Sequence, residues 1–374
     1  MSICAATISV VPKLPIKGIK YYGQYGTSGY ATAAKGYLYH YFTNGLPISW
    51  EPLYFDNSIL SDDDQYDVVV NSLINKPLDD YDVVILHSTP DLWPQFRRNN
   101  QGNFKNKVIN GYCTWETSKL PVEWVKCINE SVNEVWCPST YNEQVFIDSG
   151  ITIPIRVVPH IFMPQIMPER KNVKLLNSID NSVIKGDEGY TFYTIGEWNA
   201  RKGIDDIITA FCKAFGRGDK VKLLLKVHYR NYTSANKQRC RDYVADVLAL
   251  FPNHPPVICL LDNMSSKEIL ALHSLGDCYI SLSKSEGFGL PIFDAFNYGK
   301  KIICTGAGGQ IDYLGKDYPG LVKYKMGTVE GMESFSANYT SEQDNIQEWF
   351  IPNLKHVVKL MRKTVTIYDK RVCI

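Results

Sequence analysis

Between Cys278 and Asn297 a buried-strand run, a glycine loop and a helix start follow one another, and that order restricts the chain to few architectures. Cys278-Tyr-Ile-Ser-Leu282 has the length and the β-branched and aromatic character of a buried strand, and Pro291 to Asn297 is amphipathic. Open α/β sheets are wound from such units, and their ligands bind beyond the carboxyl ends of the strands. In the loop between, Gly287 and Gly289 permit positive φ and a close approach to the main chain of Gly287, Phe288, Gly289 and Leu290. Unpaired N–H groups at the start of the following helix favour an anion. Glu286 stands at the mouth of the loop, and Asp294 lies about two helical turns further on, so both carboxylates can face one crevice. Acceptor-only carboxylates beside anion-binding amides suit a ligand that carries both hydroxyls and phosphates, such as a nucleotide sugar.

The run E-G-F-G-L-P-I-F-D-A-F-N-Y-G resembles the signature of the large retaining glycosyltransferase family four, in which two acidic residues flank seven others and the second begins a helix. Asp294 departs from the glutamate usual in that family. The charge is kept and the reach is one methylene shorter.

Length and charge leave room for two domains and little else. A chain of 374 residues with 45% hydrophobic content can build two cores, and 40 basic against 39 acidic residues make no global electrostatic case for nucleic acid or a membrane. The ten cysteines form no C-x-x-C pair and sit mostly in apolar runs, as buried thiols of a reducing compartment do. Met1 to Lys13 lacks the basic start of a signal peptide and is broken by Pro12, and no apolar run is long enough for a membrane span. A cytoplasmic protein is expected, with peripheral membrane contact left open.

In the first half, a short strand ends near Gly23 and glycines follow at Gly26 and Gly29 before a helical stretch that carries Ala33, Ala34, Tyr37, Leu38 and Tyr41. The spacing is not that of the dinucleotide fingerprint; the loop resembles the family's first glycine-rich turn, which implies contact with the donor phosphates. The strand Tyr81 to Leu86 delivers His87 to its carboxyl end, either to meet a hydroxyl or as a hydrogen-bonded structural histidine. Asp80-Tyr-Asp82 and Asp62-Asp-Asp64 both contain D-x-D, but Asp80 and Asp82 enter a strand, so both read as solvated acids and no metal is expected. Arg97 to Lys107 reads as a polar loop with four basic residues, either plain solvated surface or a cradle for an anionic acceptor. The succession W-E-T-S-x-L-P, V-W-C-P-S-T-Y-N and V-V-P-H resembles the family's acceptor half, where Glu116 would face the cleft and orient the acceptor; a cap or surface role is the other reading.

Beyond a linker, Tyr190 to Gly196 reads as a strand, and Ile204 to Phe215 as a helix with its apolar face at Ile204, Ile207, Ile208, Phe211 and Phe215. Arg201-Lys202-Gly203 sets cations at that helix start, where the dipole already favours anions. The segment resembles the family's diphosphate clamp, with Lys202 at the matching lysine; Glu197 stands where an arginine is usual, and Arg201 is placed to substitute for it. Lys226 near the exit of the strand Leu223 to Tyr229 is a second phosphate contact or a snorkelling lysine, and main-chain contacts near Asn263 would read the base. Trp349-Phe-Ile-Pro resembles the family's closing segment and precedes a terminal helix.

The resemblance implies the GT-B fold: two Rossmann-like domains facing a cleft, residues 1–165 for the acceptor and 190–349 for the donor, joined by a linker at 166–189, with 350–374 crossing back onto the first domain. It further implies retaining transfer without metal or cofactor, with Lys202 and Arg201 at the leaving diphosphate, Glu286 at the sugar hydroxyls, Asp294 at the ribose and His87 or Glu116 at the acceptor. Three rivals bear on the same residues: a pyridoxal-phosphate-dependent phosphorylase, a non-catalytic nucleotide-sugar or glycan-binding module, and a transferase whose acceptor is modified DNA in place of a saccharide or lipid-linked glycan.

Overall fold

A computed structural model of the chain describes residues 16–53, 65–184, 189–332, 336–339 and 345–372. Asp62, Asp63 and Asp64, with Cys4 and Cys373, fall outside them. The chain forms two compact units: residues up to Trp115 with Leu120–Ile161, and Glu116–Lys119 with Phe162 onward.

The first unit is one parallel sheet in the order β2-β1-β3-β4-β5-β6, from β1 (Ile19–Gln24), β2 (Ile48–Leu53), β3 (Val83–His87), β4 (Val108–Tyr112), β5 (Glu134–Cys137) and β6 (Ile155–Val157). Helices α1 (Gly29–Thr43), α2 (Gln65–Asn71), α3 (Trp93–Asn99), α4 (Gln101–Phe104), α5 (Val122–Ser131) and α6 (Thr140–Ser149) connect the strands. The start of α1 is fixed by Ser28, whose Oγ accepts from the Ala31 N–H, and its face of Ala33, Ala34, Tyr37 and Leu38 is buried against β1 and β2. Ser139 caps α6, its Oγ accepting from the Asn142 N–H at 3.2 Å.

One expectation for this unit is corrected. Arg97 to Lys107 is mostly helical, the end of α3 and the whole of α4 with a turn at 105–107, because buried Trp93 and Phe104 anchor the two short helices. Arg97 donates to the Ser131 carbonyl at 2.6 Å, and Lys107 donates to the Tyr81 carbonyl while its ammonium lies 4.3 Å from the Tyr81 ring centre. Two of the four cations are thus engaged internally.

The second unit repeats the plan in the order β11-β10-β9-β12-β13-β14, from β9 (Tyr190–Glu197), β10 (Val221–His228), β11 (Val257–Leu260), β12 (Cys278–Ser281), β13 (Lys301–Thr305) and β14 (Leu321–Val322). It is preceded by the small hairpin of β7 (Leu175–Leu176) and β8 (Val183–Ile184), where the sequence suggests a linker; Val173, Leu175 and Ile184 are buried in the core of this unit. Its helices are α7 (Ile204–Ala214), α8 (Ser234–Ala249), α9 (Ser266–Leu275), α10 (Leu290–Asn297), α11 (Ile311–Leu314) and α12 (Leu354–Val372). Ser265 and Glu268 close a reciprocal capping box on α9. All five apolar residues expected to face inward around α7 are buried, and at about 1.5–3 kcal/mol each this face contributes on the order of 10 kcal/mol of gross burial. Val357, Leu360 and Met361 of α12 are buried in the same cluster as Ile207 and Phe211. The W-F-I-P segment is itself part of a strand, β16 (Glu348–Pro352), antiparallel to β15 (Tyr324–Thr328).

Among the described residues no helix is long and apolar enough to cross a membrane. The eight described cysteines are free thiols, seven of them buried.

Candidate active site

In the second sheet the chain runs outward from β9 through β10 to β11 and then returns to place β12 on the other side of β9. The β9/β12 boundary is therefore a switch point of the sheet, where two loops diverge and leave a crevice at the carboxyl ends of the strands. Each loop ends in a left-handed glycine that starts a helix: Gly203 with φ 61° before α7, and Gly289 with φ 84° before α10. A Cβ on Gly203 would stand 2.8 Å from the Leu282 carbonyl oxygen, so both its conformation and its neighbour require glycine.

The two loops meet through charge. Lys202 Nζ lies 2.5 Å from Glu286 Oε1, while Arg201 Nη1 lies 3.4 Å from Glu286 Oε2 and donates to the Ser285 carbonyl at 2.8 Å. Arg201 Nη2 is also 3.3 Å from Glu116 Oε1, and the Tyr339 hydroxyl donates to Glu116 Oε2 at 3.0 Å. Burial pushes the Glu286 carboxyl up, but the Lys202 ammonium and then the Arg201 guanidinium outweigh it and hold the group at about 2. Burial pulls Lys202 below the ordinary lysine value, with Glu286 opposing. Two carboxylates and two cations thus form a neutral, buried cluster. The main chain of Glu286 is fixed as well, since its carbonyl accepts from the Gly309 N–H at 2.9 Å.

Asp294, on α10, is half-buried, and its carboxylate has no hydrogen-bond partner among the described residues. Desolvation raises its carboxyl to about 7. An underused acceptor of this kind gains from hydroxyl donors that a ligand would bring.

Lys226 does not snorkel: it is 4% exposed, 4.7 Å from the ring centre of Tyr232 and 3.4 Å from that hydroxyl. Burial lowers its ammonium to about 8, with Asp262 opposing. Beside it, burial and then Lys226 and Lys202 lower His228 to about 4, so the imidazole is neutral at pH 7. Glu197 accepts from the Asn199 amide at 3.1 Å, and Asn263 is exposed in the loop after β11.

Four candidate residues belong to or border the first unit. Gly26, with φ 129°, and Gly29 bound the turn between β1 and α1. His87 ends β3, next to β1 at the switch point of the first sheet, and is 1% exposed among Tyr21, Tyr30, Tyr37 and Tyr112. Its Nδ1 is 2.5 Å from the Tyr21 hydroxyl, and its Nε2 has no partner among the described residues. Burial, then His160, depresses the imidazole well below its ordinary value, and burial raises the Tyr21 phenol. A protonated phenol that donates to Nδ1 leaves one unmet group, the Nε2–H; the reverse tautomer leaves two, so His87 presents a neutral N–H donor. Glu116, expected to orient an acceptor, instead has its carboxylate occupied by Arg201 and Tyr339 within the second unit.

Asp80 pairs with Lys17 at 3.2 Å, and Asp82 accepts from the Lys17 N–H, so this D-x-D is held at the amino end of β3. Among the described residues no three His, Cys, Asp or Glu side chains gather as a metal site would require.

A family model described as Glycosyl transferases group 1 matches residues 177–333, which contain Lys202, Lys226, Glu286 and Asp294. The matched segment covers less than half of the chain. A search of curated proteins finds no match. Among solved structures, the chain resembles trehalose-6-phosphate synthase OtsA at 9% identity and TM-score 0.54, over 79% of this chain and 86% of that one. It also resembles sucrose-phosphate synthase from Thermosynechococcus elongatus at 13% identity and TM-score 0.52, over 79% and 83%. A glycosyltransferase from Rickettsia africae follows at 14% identity and TM-score 0.51, over 80% and 81%. At these identities the likeness is one of fold, the pair of parallel-sheet α/β domains named GT-B. Of the charged cluster, Arg201, Lys202 and Glu286 lie within the matched segment, and Glu116 and Tyr339 lie outside it.

Tyr339, Ser285, Tyr232 and His228 are site neighbours that the sequence did not single out. Ser285 alone had a local signal, its place in the S-K-S-E-G loop.

Proposed function

We propose that the protein is a retaining glycosyltransferase that moves a sugar from a nucleoside-diphosphate sugar to a hydroxyl of a saccharide or lipid-linked glycan. The observation that carries the reading is the Lys202–Glu286 pair at the switch point of the group 1 domain, beside the start of α10. A leaving diphosphate there meets the Lys202 ammonium, with Lys226 and the first N–H groups of α10 as further contacts, and stabilisation of that developing charge supplies most of the rate enhancement. The bond from the sugar's anomeric carbon to the phosphate oxygen breaks, a bond to the acceptor oxygen forms on the same face, and the acceptor's proton passes to the departing phosphate. Glu286 remains ionised and engages sugar hydroxyls near the reacting carbon. Asp294 accepts from the ribose hydroxyls, and within the first unit the His87 Nε2–H is the donor offered to an acceptor hydroxyl. No metal is called for, since cations and amides meet the charge. Arg97 and Lys107 of the basic stretch donate to carbonyls, while Arg98 and Lys105 stay exposed, so salt-dependent binding of DNA is the measurement that separates a nucleic-acid acceptor from a saccharide.

A panel of nucleotide sugars, with and without EDTA, tests the reading. One donor should raise the melting temperature and release its nucleoside diphosphate slowly even to water, EDTA should leave both unchanged, and Lys202→Ala should weaken binding by about 10²-fold. Silence across the panel would move the weight to a glycan-binding module, and loss of activity in EDTA would introduce a metal.

The titration of Lys226 supplies a second expectation. Because its ammonium is held at about 8, nucleoside diphosphate should bind about tenfold more weakly at pH 9 than at pH 7. Calorimetric titration reads this directly, and an affinity flat across that range would remove Lys226 from the phosphate site.

A further inference from the structure

We propose that Arg201 is a positioning residue, held by Glu116 and Tyr339, that fixes the Glu286 loop, and that it does not bind the donor phosphates. The inference deepens the transferase reading and rests on it.

Arg201 is only 9% exposed. Its guanidinium spans three acceptors on two chain segments: the Ser285 carbonyl at 2.8 Å, Glu116 Oε1 at 3.3 Å and Glu286 Oε2 at 3.4 Å. A planar fork can satisfy such a set, and a lysine, with one point of charge, cannot. Burial alone would lower the guanidinium's pKa, but Glu116, Tyr339 and Glu286 raise it, so the charge is permanent. Its main chain is tied to the same loop, with the Arg201 carbonyl accepting from the Lys284 N–H at 2.7 Å.

The anchor behind Arg201 is itself held at several points. The Ser285 hydroxyl donates to the Glu116 carbonyl, Thr117 Oγ1 donates to Gln347 Oε1 at 3.0 Å, and Ser118 and Glu348 exchange hydrogen bonds at 3.0 and 2.8 Å. Gln347, fully buried, donates in turn to the carbonyl of Asn338, the residue before Tyr339. The four residues 116–119 thus form a clasp across the Glu286 loop. With Nη1 and Nη2 on these acceptors, the guanidinium keeps only its buried Nε–H without a partner among the described residues, which is too little to grip a diphosphate as a fork, whereas the Lys202 ammonium, bound to Glu286 alone among the described residues, has donors to spare.

The test uses the full chain with Tyr339→Phe, Glu116→Gln and Arg201→Lys, against Lys202→Ala as reference. Nucleoside diphosphate affinity, read by calorimetry, should stay within about threefold of wild type in the first three and fall in the reference. With the nucleotide sugar that the wild type uses, kcat should fall about tenfold in Tyr339→Phe and more in the other two, with KM little changed, because the loss lies in the geometry of Glu286. Combining Tyr339→Phe with Glu116→Gln should do no more than Glu116→Gln alone, as members of one relay. Amide exchange over residues 283–289 should be about tenfold faster in both variants, a readout that needs no substrate. Diphosphate affinity falling in Arg201→Lys as far as in Lys202→Ala would make Arg201 a phosphate ligand and overturn the proposal. So would unchanged exchange and unchanged kcat in Tyr339→Phe, the mildest variant. A wild type that binds no nucleoside diphosphate would instead fail the donor reading, and the exchange experiment would still decide the relay.

Discussion

Glu286→Gln should bind nucleoside diphosphate more tightly than the wild type while losing nearly all transfer. In the empty site Lys202 is neutralised by Glu286 at 2.5 Å, so an incoming diphosphate must take the ammonium from that carboxylate. Removing the charge removes the competitor. A charge pair of this kind is worth about 1 kcal/mol after screening, which would appear as about fivefold tighter binding of the nucleoside diphosphate. Transfer should fall about 10³-fold, because the carboxylate beside the reacting sugar is gone. The protein should also melt lower when empty, since a half-buried ammonium is left with a neutral partner, and recover most of that loss when diphosphate is added. Calorimetry and melting curves separate these effects. Binding that weakens together with turnover would show that Glu286 does not compete for Lys202.

Asp294→Asn should stabilise the empty protein above neutral pH and weaken donor binding. Desolvation raises the carboxyl from 3.8 to about 7, so ionising it works against the folded state. The sign follows from a pKa higher in the folded than in the unfolded chain: the contribution to stability is complete below about pH 4 and is lost as pH rises through about 7. Asparagine escapes that loss. The variant should match the wild type near pH 4, and at pH 8 it should melt higher, its advantage up to about 4 kcal/mol and less to the extent that water screens the half-buried carboxylate. Nucleotide-sugar affinity should drop about 10–100-fold, since two hydroxyls lose an ionised acceptor. Equal melting curves at pH 8 would refute the strained carboxylate, and unchanged affinity would remove Asp294 from the ribose.

Much of the crevice in the second unit was legible because its signals are local. Glu286, Gly289 and Asp294 lie within one strand-loop-helix unit, and Lys202 and Gly203 within another, so periodicity and glycine placement alone set them at the carboxyl ends of strands. The relay is of another kind. Tyr339 reaches Glu116 across 223 residues and Arg201 reaches Ser285 across 84, and nothing in the local pattern of either partner announces the pairing. Glu116 therefore read either as a residue facing an acceptor or as a cap or surface acid. Arg97 to Lys107 misled in the opposite sense: polar composition suggested a loop, and two buried aromatics, Trp93 and Phe104, decided for helices. The state of His87 was also beyond the sequence, for it depends on the Tyr21 hydroxyl from a neighbouring strand.

The clasp at residues 116–119 also bears on how this chain can be divided. The boundary at Phe162 reads naturally as the place to separate a donor module from what precedes it, and the family match, which starts at residue 177, invites the same cut. Yet a fragment begun there would carry Arg201 without one of its counter-ions, Tyr339 without its acceptor and Gln347 without Thr117. The unit that is whole in three dimensions is discontinuous in sequence, and inheritance of the second unit by recombination would have to bring along four residues that lie, in sequence, within the first.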